Sequence, residues 1–295
     1  MGMRMGTEHR VTRAQTSPPG LPPLSQDVGV LVLVEERYRE QAQPEGMIQA
    51  LRSAGAKVTV AGDSQLPLDP LRVDVVVARG RSQALLDSLQ AAEEAGMPTV
   101  DPARAVAAVR DKAVMDRRLR RAGLPVPRTW VGQGPQLACE LAALPEGRLP
   151  ERLIAKPVLG DNSRGVRPLS GPQELAGLTA EGGLMVQEMV PGTGADLKLY
   201  VIGTRVWATR KPSPVVECRS TDLGPVTVTP EMERIAHACG EAFGLSLYGV
   251  DCVERTGPDG VPGRIVVIEV NDFPNYTAVP DADRHLAEHV LGRAV

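Results

Sequence analysis

The stretch Arg264-Ile-Val-Val-Ile-Glu-Val-Asn271 is a run of mostly branched apolar residues that ends in a carboxylate and a carboxamide two positions apart. Such a run suits a strand buried among neighbours, and the two-residue spacing puts Glu269 and Asn271 on one face of it. A second run, Leu247-Tyr-Gly-Val-Asp-Cys-Val253, gives Asp251 the same kind of setting. Oxygen-rich side chains near the ends of two apolar strands are hard ligands suited to Mg²⁺ held against phosphates, with water filling the remaining positions. The alternative, in which Asp251 and Glu269 merely face solvent, fits less well with their position among Val and Ile.

Two features upstream point to the same chemistry. Leu153-Ile-Ala-Lys156-Pro157 reads as a strand ending in a lysine, followed by the loop Gly160-Asp-Asn162-Ser163-Arg164-Gly165. Glycines let backbone N–H groups approach phosphate oxygens, Lys156 supplies a point charge and Arg164 a fork; an ordinary hairpin loop has the same composition. Next, Leu184-Met-Val-Gln187-Glu188-Met189-Val190 ends a strand, and Asp196-Leu-Lys198 opens another. Backbone groups at a strand end can pair with a purine, and Asp196 can accept from ribose hydroxyls while sharing a strand face with Lys198. Taken alone, Asp196 and Lys198 would be an edge salt bridge.

Composition excludes other classes. The chain has 295 residues, 42% apolar and 23% charged, with a formal net charge of −3, which predicts a globular protein of about two domains. With only eight aromatic residues and no broad basic face, no nucleic-acid partner is expected. No apolar run approaches the roughly 20 residues of a membrane span, so no membrane partner is expected either. Cys139, Cys218, Cys239 and Cys252 are widely spaced, which predicts reduced, buried thiols and a cytoplasmic location rather than a zinc site or disulfides. His285 and His289 share a helix face, read as solvated.

Periodicity sets off a disordered leader over 1–26, a small doubly wound α/β unit over 27–104 and a remainder that turns strand-rich. The leader has four prolines and no apolar segment of the secretory type. In the α/β unit, the strands Val28-Gly-Val-Leu-Val-Leu-Val34, Lys57-Val-Thr-Val-Ala61, Val73-Asp-Val-Val-Val-Ala78 and Pro98-Thr-Val100 alternate with helices over 45–53 and 82–95. Residues 103–121 read as one cationic helix with a solvated face. Further helices are expected over 172–178, 230–243 and 281–291, with a hairpin turn at Gly203-Thr204. Arg79-Gly-Arg81 lies where open α/β sheets place ligands, with a solvated loop as the alternative.

In this order, Arg110-Asp-Lys112, Gly123-Leu-Pro-Val-Pro127, Lys156-Pro157, Gln187-Glu188-Met189-Val190, Asp196-x-Lys198, Gly249-Val-Asp251 and Glu269-Val-Asn271 resemble the ATP-grasp superfamily over about residues 103–291. The resemblance implies an α/β fold of that type, preceded by a small N-terminal unit, and a division of the remainder into a central lid over 105–186 and an α+β C-terminal part over 187–295. It implies ATP as cofactor, with Lys112 and Lys156 on its phosphates, the Asn162, Ser163 and Arg164 loop closing over them, and Gln187, Glu188, Met189 and Val190 around the adenine. Asp196 would hold the ribose and Lys198 would stabilise the transferring phosphoryl group. Asp251, Glu269 and Asn271 would bind Mg²⁺, two ions by expectation, with Mn²⁺ as a substitute.

The sequence is similar to the branch that contains ribosomal-protein glutamyl ligases, lysine-biosynthesis ligases and inositol polyphosphate kinases. It has Asp196-Leu-Lys198 where the glutamyl ligases have Asp-x-Arg, and it lacks their Asn-x-x-Arg-Gly-Gly stretch around 218–224. The resemblance implies a carboxylate–amine ligase, with a polyol or inositol phosphate kinase and a non-catalytic nucleotide binder as alternatives. Arg210 is expected at the catalytic centre. Lys211, Ser213 and Arg219 would hold an anionic small-molecule or peptide acceptor. Phe273, Asn275 and Tyr276 would line the acceptor pocket or cap the core, leaving the adenine between Ile154, Val186 and Ile268. A homodimer is left open.

Overall fold

The computed structural model describes residues 28–62, 65, 73–160, 165–218, 220–257 and 260–294. The expected leader lies outside them, as do Asn162, Ser163, Arg164 and Arg219.

The first sheet is parallel, in the order β2 (Lys57–Gly62), β1 (Gly29–Val34), β3 (Val75–Arg79), β4 (Thr99–Val100). β1 and β3 are continuous apolar runs because both faces are covered, whereas the edge strand β2 alternates and exposes Lys57 and Thr59. α1 (Ala42–Ser53) and the C-terminal α7 (Ala282–Leu291) pack over one face, α2 (Gln83–Glu94) and part of α3 (Ala103–Arg110) over the other. Ser82 caps α2 by accepting from the Leu85 N–H at 3.3 Å, as its place before the apolar repeat predicts.

The helix expected over 103–121 is two helices. Asp111 adopts an extended conformation, pairs with Leu159, and caps α4 (Lys112–Arg121) by accepting from the Val114 N–H at 2.8 Å. This break turns Lys112 inward, where only 6% of it is exposed. A solvated face is therefore wrong for Lys112, and for Asp116 as well, which is also buried.

The central sheet is antiparallel, in the order β5 (Thr129–Gly132), β8 (Leu184–Glu188), β6 (Leu153–Pro157), β7 (Arg167–Leu169). α5 (Gly134–Ala142), which the sequence reading missed along with β7, covers its outer face with Leu137 and Leu141. The helix expected at 172–178 is a 3₁₀ helix, Pro172–Gly177. The third sheet runs β11 (Gly224–Val226), β10 (Arg205–Pro212), β9 (Ala195–Ile202), β12 (Leu247–Thr256), β13 (Pro262–Asp272). α3, α4 and α6 (Pro230–Phe243) cover one face of it. The divisions expected at 104/105 and 186/187 therefore do not follow the sheets. α3 and α4 pack on the third sheet, and β8 belongs to the central sheet up to Glu188.

Tyr200, Ile202, Leu247, Phe273 and Tyr276 join the core under β1 and α7, so the first and third sheets share one apolar cluster. Phe273 and Tyr276 are thus core residues, and the Tyr276 hydroxyl donates to the Val201 carbonyl at 2.9 Å. His289 is not solvated: Ser246 Oγ lies 2.8 Å from its Nε2, and burial lowers its pKa to about 4. His285 stacks on Trp207. Cys239 and Cys252 are buried as expected, whereas Cys139 is exposed. Among the described residues no helix is long and apolar enough to cross a membrane.

Asp101 ties the first sheet to the third. Its buried carboxylate accepts from Ser246 N–H (2.7 Å), Ser246 Oγ–H (2.6 Å) and Leu247 N–H (2.9 Å). Asp101→Ala strands these donors and is expected to lower unfolding free energy by at least about 2 kcal/mol, read as a shift in denaturant midpoint at unchanged slope. Burial pushes the Asp101 pKa from 3.8 up to about 6, so its contribution to stability is full below pH 3.8 and is lost as pH rises through about 6. Asp101→Asn removes that dependence, and the wild type should lose stability relative to this variant across the same window.

Candidate active site

A cavity of about 860 Å³ opens between the central and third sheets, with the loops after β1 and β3 forming one end. Strand alternation decides what faces it. Along β9, Leu197, Leu199 and Val201 fill the core beneath α6 while Asp196, Lys198 and Tyr200 line the cavity. On β13 the pattern carries an irregularity: Asp251 pairs with Glu269, but Cys252 pairs with Val267, leaving Ile268 as an extra residue. This bulge lets the consecutive Ile268 and Glu269 both line the cavity while Val267 and Val270 remain in the core.

Charged side chains meet at the centre. Lys112 Nζ donates to the Gly160 carbonyl at 2.6 Å and lies 3.4 Å from Glu269 Oε1. A lysine in the first turn of a helix opposes the helix dipole, and this ion pair offsets that cost. Lys156 is 5% exposed; burial lowers its pKa, the Glu269 charge works against that shift, and Lys112 adds to it. For Glu269, burial works to raise the pKa, but Lys112, Lys156 and Arg81 outweigh it and the net shift is downward. Lys198 Nζ lies 2.7 Å from Asp251 Oδ1, and this carboxylate raises the lysine's pKa against the effect of burial. Asn271 donates through Nδ2 to Asp251 Oδ2 at 2.7 Å and accepts at Oδ1 from Arg81 at 3.1 Å. Gly249 lets Lys198 pass, since a Cβ there would stand 3.1 Å from Lys198 Cε.

At one end Ile154, Met189, Val190, Val253 and Ile268 make an apolar slot beside Gln187. Val186, expected there, is buried in the outer core of the central sheet because it alternates with Gln187. Glu188 lines the cavity, and its carboxylate is held by Arg255 at 2.8 Å. Asp196 is raised to about 6, first by burial, with Ser213 and Lys198 acting against the shift.

At the other end stand Arg37, Tyr38, Gln41, Arg79 and Arg81, with Asn275, Lys211 and Ser213 nearby on the lining. Arg79 is buried, stacks 4.1 Å over the Tyr38 ring and donates to the Phe273 carbonyl. Lys211 donates to the Tyr200 hydroxyl at 2.7 Å. The solvated-loop reading of Arg79 and Arg81 is thus corrected. Phe273 and Tyr276 lie beneath the site in the core, so of their two readings the core cap holds and the acceptor-pocket lining does not. One further sequence expectation fails. Arg210 points to the other side of β10, where Glu254 holds its Nε at 2.7 Å and Asp222 its Nη1, and it does not line the cavity.

Among the described residues no three His, Cys, Asp or Glu side chains converge as a metal cluster. The candidate ligands are instead two carboxylates and a carboxamide on adjacent strands, with Asp251 in register with Glu269. These hard oxygen donors fit Mg²⁺, and the charges that Lys198 and Lys112 now counter are charges a divalent ion would also counter.

Comparison with known proteins agrees with this geometry. A family model described as the inositol 1,3,4-trisphosphate 5/6-kinase ATP-grasp domain matches residues 219–292. The solved RimK domain protein ATP-grasp from Sphaerobacter thermophilus superposes with a TM-score of 0.69 at 20% identity, over 90% of this chain and all of that one. The chain has the ATP-grasp fold. It is 26% identical over 228 residues to inositol-tetrakisphosphate 1-kinase 3 of Arabidopsis thaliana, covering 65% of this chain and 63% of that protein. It is 29% identical over 203 residues to probable alpha-L-glutamate ligase 2 of Shewanella amazonensis, covering 64% of each. The matched region is under two thirds of either relative's length. The ATP-grasp ligase PsnB, solved with minimal precursor, Mg and ADP, superposes at 0.66 with 21% identity, over 90% of this chain and 98% of that one.

Because Lys156 brings its charge into the cavity and Arg210 does not, Lys156→Met is expected to weaken nucleotide binding by at least about tenfold and Arg210→Met by less than about twofold, measured by calorimetry. Arg210→Met should instead lower thermal stability, through loss of its pairing with Glu254.

Proposed function

We propose that the chain is an ATP-dependent, Mg²⁺-requiring ligase that activates a carboxylate as an acyl phosphate and joins it to an amine, releasing ADP and phosphate. The observation that carries this reading is the continuity of the cavity. It runs from an apolar slot, past two buried lysines facing an acidic strand pair, to an arginine-lined pole. The nucleobase belongs in the slot. Lys112 and Lys156 would meet the phosphates, Asp196 would accept from the ribose, and Asn162, Ser163 and Arg164 would belong to the loop over the phosphates.

Asp251, Glu269 and Asn271 would hold the Mg²⁺, whose chemistry is to neutralise phosphate charge during transfer. An acceptor carboxylate oxygen bonds to the γ-phosphorus as the bond to ADP breaks, with Lys198 placed against the charge of the transferring group. The amine then attacks the acyl carbon, phosphate leaves, and the amine gives up a proton.

The balance of charge favours a carboxylate acceptor. Among the described lining residues Arg37, Arg79, Arg81, Lys112, Lys156, Lys198 and Lys211 face Glu188, Asp196, Asp251, Glu269 and Asp272, an excess of two cations. Such an excess suits one carboxylate beside a Mg-nucleotide better than an acceptor bearing several phosphates. Arg79, Arg81 and Lys211 are the residues proposed to orient it, with Ser213 and Asn275 around them. The second reading, a kinase acting on a polyol or inositol phosphate, is favoured by the family-model match over 219–292 and by the lysine at 198.

A product assay separates the two. The ligase reading expects ADP and free inorganic phosphate only when acid and amine are both supplied; ADP with phosphate retained on an alcohol contradicts it. Glu269→Gln and Lys156→Ala are each expected to abolish turnover in a protein that remains folded by circular dichroism, and full activity in either removes the proposed site.

A further inference from the structure

Gln187 is buried at the centre of the β5–β8–β6 face that looks into the cavity, directly opposite Thr129 on one side and Ile154 on the other. Its Nε2 donates to Thr129 Oγ1 at 3.0 Å. Thr129 in turn lies 2.9 Å from Asp116 Oδ1 and 3.0 Å from the Pro127 carbonyl. Arg120 holds both oxygens of Asp116, Oδ2 from Nε at 2.7 Å and Oδ1 from Nη2 at 3.3 Å, and donates to the Pro127 carbonyl as well. The ion-paired carboxylate at 2.9 Å is a stronger acceptor for the single threonine proton than a neutral amide carbonyl would be. With the proton on Asp116, the Thr129 oxygen accepts from the Gln187 amide. The opposite amide orientation would set the Gln187 carbonyl against an oxygen with no proton left to give. Among the described residues no group donates to Gln187 Oε1.

We propose that Asp116 and Thr129 are positioning residues that lock the Gln187 amide with its carbonyl oxygen toward the nucleobase slot, so that the site selects a base bearing an exocyclic amine over one bearing a carbonyl there. This rests on the reading of the cavity as a nucleotide site and extends it to base selectivity. Neither Asp116 nor Thr129 lines the cavity. Their effect passes through Gln187 alone, by fixing which end of a symmetric-looking side chain meets the ligand.

Removing the hydroxyl frees the amide to rotate and offer its NH₂ group instead. The test is calorimetric titration of the full chain, with Mg²⁺, using ATP, ITP, and purine riboside triphosphate, which lacks only the amine. In Thr129→Val, ATP should bind about fivefold more weakly and ITP more tightly, while purine riboside triphosphate stays within about twofold, since one hydrogen bond is exchanged. Thr129→Ser keeps the hydroxyl and should keep the wild-type ratios, which separates the relay from general loss of packing. An equal change for all three nucleotides in Thr129→Val, or unchanged ratios, overturns the relay while leaving the nucleotide site in place. Failure of the wild type to bind any of the three overturns the nucleotide reading itself, and the relay with it.

Discussion

A buried carboxylate needs a cation, and in this protein the need is met across three separate pieces of chain. Glu269 sits on the inner side of β13, Lys112 at the start of α4 reaches to 3.4 Å from it, and Lys156 arrives from the central sheet close enough to lower its pKa. None of the three charges would be stable alone at this depth. Their mutual neutralisation fixes where the central sheet stands relative to the third. Asp251 and Lys198 repeat the arrangement one strand over, at 2.7 Å.

The surrounding architecture keeps this cluster in place. One apolar core lies under α3, α4 and α6, and a second joins β1, α1 and α7 to Tyr200, Leu247, Phe273 and Tyr276. Asp101 adds a polar tie between the same layers. The central sheet has its own smaller core against α5 and meets the rest through the apolar cluster of Ala113, Val158 and Met185 and through the Arg255–Glu188 pair.

Much of this was legible in the sequence. The alternation in β9 and the carboxylate-and-carboxamide spacing of Glu269 and Asn271 point to the candidate site from sequence alone, because a period of two is a local property. What was not legible depends on non-local geometry. The bulge at Ile268 leaves no mark in a run of branched residues. The break at Asp111 hides in a helical pattern, because its cause is the pairing with Leu159 and the inward pull on Lys112. Arg210 reads as a free cation until Glu254, 44 residues away, is seen to hold it. Arg79 and Arg81 read equally well as a ligand-binding strand end and as a solvated loop, because sequence does not show which surface folds over them. Phe273 and Tyr276 follow the metal-type ligands so closely that a pocket lining and a core cap both fit, and the fold takes the core cap.

The cluster of Glu269, Lys112 and Lys156, with Asp251 and Asn271, is proposed as the site for a nucleoside triphosphate bound together with a divalent cation. Its most direct test is calorimetric titration of the protein with a non-hydrolysable ATP analogue, with Mg²⁺ present and then removed by chelation. Stoichiometric binding that depends on Mg²⁺ is the result this account predicts. Binding of equal strength without the cation, or no binding in its presence, would contradict it.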